Sequence, residues 1–265
     1  MEVVPALAAE YLGAFREAGE SLACLRYMLT GGEALTPKLA EEICATLPGL
    51  ARGGLFNSYG PTEVTVTTIT GHIQAPFGRI PLGRPDHNVH AYVVLPDAAA
   101  ATAAADADKG AEQGSAAAAA TADDKQQQQQ GKWRLAAIGE PGELWLSGPR
   151  LARGYRNRPE QTAAAYVPNP WFEESTAALK SCGSASDAAA AAALREHYRL
   201  AYRTSDLIVM GEDGQLEYLG RADRQIKING VRMEVSEVEA VLAGAPGKQG
   251  YSYAALTAMN KSIAH

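Results

Sequence analysis

Apolar residues at the start of the chain recur with the period of a helix. They stand three or four positions apart, at Val4, Leu7, Tyr11 and Phe15. This spacing predicts an amphipathic helix over residues 1–15 that packs through these side chains. Gly19 then ends the helix, because glycine is unfavourable inside helices and common just beyond them.

The following residues predict a strand–helix–strand unit. Residues 24–29 form a short apolar run, which is typical of a buried strand. Thr36 and Pro37 supply an N-cap and a proline at the first helical position. The helix that they begin has apolar side chains at Leu39, Ile43 and Leu47. Leu55 then starts the next strand.

Two strands joined in this way lie parallel and close together. Their carboxyl ends therefore share one edge of the sheet, where residues 30–33 and 57–63 follow them. Ligands of open α/β sheets bind at that edge. We expect these two segments to converge on one crevice.

Beyond residue 64 the pattern changes to short strands separated by glycine and proline turns. Strands are predicted at Val64–Thr70, His90–Leu95 and Glu143–Ser147. They indicate a small barrel or sheet appended to the α/β core. Near the end, Asn229-Gly230 predicts a hairpin over residues 226–233. A capping box at Ser236 and Glu239 then predicts a last helix, with Gly244 and Pro246 closing it.

Two segments have a foreign composition. Residues 98–131 are nearly all Ala, Gln, Asp, Gly and Thr, and residues 177–193 are rich in Ala and Ser. Neither holds a large apolar set whose burial would offset the entropy of ordering it. Both are interpreted as surface insertions looped out of the folded body, without a function.

Composition excludes several classes of protein. The formal net charge of −6 argues against a nucleic-acid partner, because such domains are usually basic. The three cysteines, Cys24, Cys44 and Cys182, are far apart and form no CxxC pair, which indicates a reducing compartment and no zinc site. His87 and His90 have no cysteine or carboxylate cluster beside them, so we expect no metal there.

Hydropathy gives no sign of a membrane protein. No apolar run reaches the roughly 18 residues that are needed to cross a bilayer. No signal peptide opens the sequence, since residues 1–15 predict an amphipathic helix instead. The expected location is therefore the cytoplasm, or an organelle whose targeting segment is not visible.

The richest chemistry lies in residues 57–63, Asn-Ser-Tyr-Gly-Pro-Thr-Glu. Tyr59 offers a flat face for a base and a hydroxyl at its tip. Gly60 with the following proline forces a turn. Thr62 has a hydroxyl that a phosphate oxygen can accept from, and Glu63 is the hard oxygen ligand that Mg²⁺ prefers. The alternative is a strand that ends in an ordinary Gly-Pro turn.

Other candidate residues are weaker in isolation. Gly31 and Gly32 let a planar ligand approach the backbone, although many turns contain such a pair. Asp206 has a carboxylate that can accept two hydrogen bonds from a ribose diol, or it is a solvated loop residue. Arg221 suits a ribose or phosphate, or forms a surface salt bridge. The sequence contains no Walker loop, GxSxG elbow or kinase signature.

Together these motifs resemble the adenylate-forming, or AMP-binding, superfamily, and in particular the amino-acid adenylation domains of nonribosomal peptide synthetases. The similar segments are LTGGEALT at 29–36, NSYGPTEVTV at 57–66, PLGRP at 81–85, GELWLSGPRLARGYRNRPEQTAAAYVPNPW at 142–171, AYRTSDL at 201–207 and GRADRQIKINGVRMEVSEVEAVL at 220–242. They cover most of the chain outside the two insertions and the last residues.

The resemblance implies an α/β fold in two parts. Residues 1–222 would be the C-terminal portion of the family's large domain, with a β-α-β sheet and a small distorted β-barrel. Residues 223–265 would be the hinge and the start of the small α+β domain, which turns about Asp223 between two half-reactions.

The implied reaction activates a carboxylic acid, here an amino acid, with ATP and Mg²⁺. The acyl-adenylate then transfers its acyl group to the phosphopantetheine thiol of a carrier protein domain. Within the enzyme class, an acyl- or aryl-CoA ligase of the same superfamily is the alternative. A non-catalytic remnant that serves as a binding module is an alternative of another class.

The same resemblance implies roles for individual residues. Tyr59 would stack on adenine and Asn57 would bond its amino edge, in a pocket also lined by Gly32 and Glu33. Thr62 would contact the α-phosphate and Glu63 would bind Mg²⁺. The ribose would be held by Asp206, with Arg221 beside it. Residues that would recognise the substrate side chain are Leu29, Gly31, Ser58, Val66 and Thr67; mostly small and neutral, they argue against a charged side chain.

The sequence also departs from the family pattern. The family's phosphate loop and the acidic residue for the substrate amino group would precede Gly31, and its catalytic lysine would follow Leu242. Lys248 lies too close to the hinge to replace that lysine, and Ser205 and Asn229 stand where the family usually has glycine and arginine. We therefore expect this polypeptide alone to activate its substrate poorly or not at all.

Overall fold

The computed structural model describes residues 1–18, 22–97, 133–177, 185–222, 225–228 and 231–234. Its first half is a five-stranded sheet with the strand order β1-β2-β3-β4-β5. The strands are β1 (Glu2–Val3), β2 (Tyr27–Gly31), β3 (Gly54–Tyr59), β4 (Ile69–Ile73) and β5 (Arg84–Pro85). β1, β2 and β3 run parallel, whereas β4 and β5 pair antiparallel.

Two helices cover one face of this first sheet: α1 (Pro5–Ala18) and α2 (Pro37–Thr46). Helix α2 begins as predicted, since Thr36 Oγ1 accepts a hydrogen bond from the Leu39 amide at 3.2 Å and Pro37 occupies the first helical position. Met28 and Leu55 on the strands are buried against Ile43 of α2. The predicted strand–helix–strand unit with parallel strands is confirmed.

The second half is an antiparallel sheet with the strand order β11-β10-β8-β6-β7, and β9 pairs beside β10. Its strands are β6 (His90–Pro96), β7 (Trp133–Leu135), β8 (Gly142–Ser147), β9 (Tyr166–Pro168), β10 (Leu200–Met210) and β11 (Leu216–Arg221). Helices α3 (Pro159–Ala165), α4 (Phe172–Ser175) and α5 (Ala185–Glu196) lie between β8 and β10 in the chain. The strands predicted near 90–95 and 143–147 are therefore confirmed.

Aromatic and aliphatic side chains fill the second half. Leu144, Leu146 and Ile208 are fully buried in one cluster with Val64 and Ile69 of the first half. On the other side of β8, Trp145 is fully buried with the aromatic rings of Trp133, Trp171 and Tyr92 around it. Shared apolar burial therefore holds the two sheets together.

A backbone bridge also joins the two sheets. The amides of Leu82 and Leu216 donate to the carbonyls of Leu216 and Gly83, each at 2.7 Å. Gly83 has φ +106°, and a Cβ at this position would stand 2.0 Å from the Thr70 carbonyl oxygen. Only glycine fits where the chain crosses between the sheets.

Several local predictions are wrong. The strand predicted at 24–29 begins at Tyr27 and ends at Gly31, because the chain turns at residues 22–25 with the Leu25 amide bonded to the Leu22 carbonyl. The strand predicted at Val64–Thr70 begins at Ile69. Residues Thr62–Val64 form a 3-10 turn instead. Proline and the left-handed residues that follow it reverse the chain between the antiparallel strands β3 and β4.

The predicted face of the first helix is also wrong. Leu7 and Tyr11 are exposed, and the positions next to them, Ala8 and Leu12, are buried. The small side chain of Ala8 lets the helix backbone approach its neighbours closely, so the helix is rotated from the orientation that the largest side chains predict. A pattern of large apolar side chains does not include alanine, so it does not predict this face.

The Ala/Ser-rich segment at 177–193 is not wholly irregular. Residues 185–193 belong to helix α5, and the side chains from 188 onwards are mostly exposed. Alanine has the highest helix propensity, which lowers the entropic cost of ordering this segment. The segment 98–131 lies outside the described residues.

The end of the chain contains the predicted hairpin. β12 (Gln225–Ile228) and β13 (Val231–Glu234) pair antiparallel and form a separate two-stranded sheet. The hinge residue Asp223 and the capping box at Ser236 and Glu239 lie outside the described residues. Among the helices that the structure describes, none has the length and apolarity to span a bilayer.

Candidate functional site

The two segments predicted to converge do meet at one edge of the first sheet. Gly31, the last residue of β2, pairs directly with Ser58 of β3. A Cβ on Gly31 would stand 2.5 Å from the Ser58 carbonyl oxygen, so glycine is required for this approach. Gly32 follows with φ +84°, which turns the exposed chain away from the strand.

Residues distant in the chain complete this edge. The hydroxyl of Tyr59 donates a hydrogen bond to Asp206 Oδ2, although the two residues are 147 positions apart. Arg221 Nη1 donates to the other oxygen, Oδ1, at 3.0 Å and forms a salt bridge with it. Pairing of β10 with β11 sets Asp206 opposite Arg221. The second sheet thereby delivers a buried carboxylate to the tip of Tyr59.

Burial decides the ionisation of this tyrosine. Removal from water raises the pKa of Tyr59 well above its ordinary value, and the negative charge of Asp206 raises it further. The hydroxyl therefore stays protonated and donates to the carboxylate. Asp206 is itself oriented by its backbone amide, which donates to Thr204 Oγ1 at 3.0 Å.

Glu63 lies in a second polar cluster on the same side of the first sheet. It is buried with 8% of its surface exposed, and Tyr155 Oη donates to its Oε1 at 2.7 Å. The hydroxyls of Tyr155 and Tyr202 are 3.4 Å apart. Burial raises the pKa of Tyr202, and it also raises the pKa of Tyr166 to about 12. Neutral phenols thus surround a single carboxylate.

The hydroxyl of Tyr166 is buried without a hydrogen-bond partner among the described residues. The Tyr155 and Tyr166 rings meet edge to face with their centroids 5.9 Å apart. The negative charge of Glu63 contributes to the raised pKa of Tyr166. An orphaned polar atom in this cluster suits a site that also binds water or a ligand.

The donor set near Glu63 fits Mg²⁺ bound together with a substrate. In the described residues, no three His, Cys, Asp or Glu side chains form a cluster that could hold a metal ion. Mg²⁺ needs fewer, because it usually takes one or two carboxylates and completes its shell with water and substrate phosphates. One buried carboxylate beside Thr62 agrees with that pattern.

Two predicted pocket residues contact other parts of the first half. Asn57 is buried, and its Nδ2 donates to the Pro81 carbonyl at 2.9 Å. Glu33 Oε2 accepts from the Ala6 amide at 3.4 Å, in the first turn of α1. The amide end of Asn57 is thus fixed, while the Glu33 carboxylate faces the positive end of a helix.

The residues predicted to recognise the substrate side chain lie along the same edge. Ser58 Oγ and Thr67 Oγ1 are 3.0 Å apart, and Gly31 pairs with Ser58. Leu29 is half-buried on β2, whereas Val66 is 65% exposed. Gly60 lies close to the backbone of Val66. A Cβ at Gly60 would stand 2.1 Å from the Val66 carbonyl oxygen, so glycine is required for this approach.

Sequence reasoning missed two residues that hold this loop, Tyr155 and Arg150. Both lie in the stretch 142–171 that resembles the family, but neither carries a local signal of its contact. The sequence Arg153-Gly154-Tyr155 shows only that a large side chain follows a glycine. It does not reveal that Tyr155 reaches Glu63, 92 residues earlier in the chain.

A cleft of about 290 Å³ contains none of the candidate site residues, although Pro81 in its lining accepts a hydrogen bond from Asn57. It is lined by His72, Ile73, Gln74, Arg79, Pro81, Asp213, Gln215 and Glu217. His72 pairs with Phe56, three residues before Tyr59 on β3, so the cleft lies toward the other end of the sheet. Arg79 and Glu217 form an ion pair with each other across it.

Comparison with known proteins agrees with the geometry. A family described as AMP-binding enzyme matches residues 1–111. The chain is 34% identical to tyrocidine synthase 3 of Brevibacillus parabrevis over 220 residues, which cover 83% of the chain and 2% of that protein. The chain thus spans only a small part of this relative.

Solved structures share the fold. A holo NRPS protein containing adenylation and PCP domains, bound to a vinylsulfonamide inhibitor, matches with a TM-score of 0.61 and 24% identity, over 93% of this chain and 32% of that one. The Vibrio cholerae adenylation domain AlmE, in complex with glycyl-adenosine-5'-phosphate, matches with a TM-score of 0.56 and 24% identity, over 91% of this chain and 34% of that one.

Proposed function

Because the chain belongs to the AMP-binding enzyme family, we propose that it forms part of an amino-acid adenylation domain. In this proposal the carboxylate of an amino acid attacks the α-phosphorus of ATP. The bond from that phosphorus to the bridging oxygen breaks, and pyrophosphate leaves. The products are an acyl-adenylate and pyrophosphate.

The second step transfers the acyl group to a carrier protein. The phosphopantetheine thiolate attacks the acyl carbon, and the carbon–oxygen bond to AMP breaks, which leaves a thioester and AMP. Support comes from the related structures, one of which contains a PCP domain and another glycyl-adenosine-5'-phosphate. The partners are therefore an amino acid and a carrier domain. We propose a cytoplasmic setting, since Cys24 and Cys44 are free thiols.

One observation carries this proposal: Asp206 lies at the tip of Tyr59 and against Arg221. A carboxylate oxygen has two lone pairs, so Asp206 can accept ribose hydroxyls while it keeps both protein partners. Tyr59 would present its ring to adenine at the same time. Asn57 would accept from the base amino group, because its Nδ2 is already committed to Pro81.

Thr62 and Glu63 would act at the phosphates. Thr62 is exposed at the start of the 3-10 turn, where its hydroxyl would donate to the α-phosphate. Glu63 would hold Mg²⁺, which supplies charge neutralisation at the phosphates. Tyr155 keeps the Glu63 carboxylate in place by its hydrogen bond. These roles are positioning and electrostatic stabilisation rather than covalent chemistry.

Nucleotide binding by the purified chain tests the proposal. Calorimetric titration with AMP should show binding, and Asp206→Asn should weaken it roughly tenfold or more, because hydrogen bonds to a charged group are being lost. Arg79→Leu is the matched control, since Arg79 is 81% exposed and its ion pair is with Glu217, to which no nucleotide role is assigned. AMP affinity that is equal in the wild type and Asp206→Asn would refute the nucleotide site.

Exchange of labelled pyrophosphate into ATP then separates the remaining alternatives. Exchange that depends on one amino acid supports the adenylation reaction. Exchange only with fatty or aromatic acids would assign the chain to the CoA ligases instead. AMP binding without exchange would agree with the weak activity expected of this polypeptide alone. Absence of exchange also in a fusion that supplies the family's phosphate loop and catalytic lysine would favour a binding module.

A further inference from the structure

The loop that carries Val66 and Thr67 has an unfavourable backbone. Thr65 and Val66 have φ values of +60° and +65°, in the left-handed region. Both are β-branched, and such residues rarely adopt this conformation because the branched side chain crowds the backbone. Two consecutive residues of this kind persist only where surrounding contacts hold them.

Arg150, from the chain that leaves the second sheet after β8, provides such contacts. Its Nη1 donates to the Thr67 carbonyl at 2.6 Å, and its own carbonyl accepts from Thr65 Oγ1 at 2.7 Å. One residue therefore contacts the loop on both sides of Val66. Two residues further on, the Ala152 amide donates to the Glu63 carbonyl at 2.8 Å.

Asp86 fixes the direction of the Arg150 side chain. Its Oδ2 accepts from Arg150 Nη1 at 3.1 Å, and its Oδ1 accepts from Thr70 Oγ1 at 2.9 Å. The Asp86 amide also donates to the Thr68 carbonyl at 2.8 Å. Arg150 is thus tied to a carboxylate that is itself bonded to the strand after the loop. Its side chain is 36% exposed.

We infer that Arg150 is a positioning residue that holds the strained Thr65–Thr67 loop and so determines how Val66 and Thr67 face the substrate side chain. The role in recognising a substrate side chain rests on the proposed function. The contacts between Arg150 and the loop are independent of that function. Val66 is largely exposed and is held through its neighbours, so loss of Arg150 lets the strained residues relax into ordinary backbone conformations.

Hydrogen–deuterium exchange of the unliganded chain tests the positioning directly. In Arg150→Met, a peptide covering residues 64–68 should exchange roughly fivefold faster, because the Thr67 and Thr68 amides lose the contacts that keep them bonded. Arg150→Lys should restore most of the protection, since an ammonium group can donate to the same two oxygens. Arg153→Met is the control, because Arg153 is exposed in the same segment. Equal exchange in Arg150→Met and Arg153→Met overturns the inference.

Amino-acid-dependent pyrophosphate exchange tests the effect on selectivity. Arg150→Met should raise KM for the preferred amino acid severalfold, while KM for ATP stays unchanged. It should also reduce the difference in kcat/KM between the preferred amino acid and the others. A fall in kcat alone, with the preference intact, would refute a role in selectivity. If the wild type activates no amino acid, as expected of this polypeptide alone, hydrogen exchange still decides whether Arg150 holds the loop, and the AMP titration decides the proposed function separately.

Discussion

The two sheets of this molecule contribute different kinds of residue to the site. The first, mixed sheet supplies the motif residues at the carboxyl edge of its parallel strands, from Gly31 to Glu33 and from Asn57 to Thr67. The second, antiparallel sheet and its connections supply the side chains that hold them: Arg150, Tyr155, Asp206 and Arg221. Most residues that would touch a ligand are local in sequence, with Asp206 at the ribose as the exception, whereas the residues that orient them are distant.

The comparison predicts that substitutions in the second sheet disturb the first. The largest effect is expected for Asp206→Ala, which removes the buried carboxylate to which Tyr59 and Arg221 both donate. Loss of one member of a buried pair costs about 3–5 kcal/mol of unfolding free energy. Urea denaturation measures the change.

The double variant Asp206→Ala/Arg221→Met is the matched test, because it removes both charges. It should recover much of the lost stability, since an apolar replacement needs no partner. If the double variant is as unstable as the single one, loss of the Asp206–Arg221 ion pair is not the cause.

The next effect concerns the bridge between the sheets. Gly83→Ala would place a Cβ 2.0 Å from a backbone oxygen at a residue with φ +106°. Backbone strain and overpacking together should lower the unfolding free energy by about 3 kcal/mol or more. Gly78→Ala, where a Cβ meets nothing within 4 Å, should change stability little. Similar melting temperatures for the two variants would mean that the backbone bridge at Gly83 contributes nothing measurable to the unfolding free energy.

Smaller effects should distinguish the two tyrosines near Glu63. Tyr155→Phe removes a hydrogen bond to a buried carboxylate and should cost about 1.5–3 kcal/mol of unfolding free energy. Tyr166→Phe removes a hydroxyl that has no partner among the described residues, so it should be neutral or stabilising. Chemical denaturation of both variants measures this difference, and equal losses would contradict it.

The smallest effect is a dependence of stability on alkaline pH. Burial raises the folded-state pKa of Tyr166 from 10.0 to about 12. The folded protein therefore keeps a proton that the unfolded chain releases, and stability is fully present below pH 10 and lost as the pH rises toward 12. Denaturation midpoints between these limits should fall less steeply in Tyr166→Phe. Identical slopes in the wild type and the variant would rule out this contribution.

Much of the first sheet could be predicted because its signals are local. A proline after Thr36 marks a helix start wherever the chain folds, and short apolar runs around a helix indicate parallel strands. The pairing of Gly31 with Ser58 followed from that topology. The rotation of helix α1 could not be predicted, because it depends on how closely Ala8 packs, which is a tertiary property.

The candidate site divides in the same way. Tyr59, Glu63 and Asp206 could be named from chemistry and from resemblance, since each carries a distinctive functional group. Arg150 could not, because arginine on a loop is usually solvated and its role arises from two contacts made across the fold. The strained Thr65–Val66 backbone was likewise hidden within a stretch that resembles a strand in composition.

The contact between Tyr59 and Asp206 also has a consequence for how the molecule is made. During synthesis the strand–helix–strand unit near the start of the chain has all of its partners early, and early segments generally fold first. The tip of Tyr59 gains its carboxylate only 147 residues later, and Arg221 follows after that. Contacts across such a long separation form slowly, because a large loop must close first. A growing chain would therefore contain residues 57–63 long before the nucleotide site is complete. Nucleotide binding would then show that β10 and β11 have packed against the first sheet.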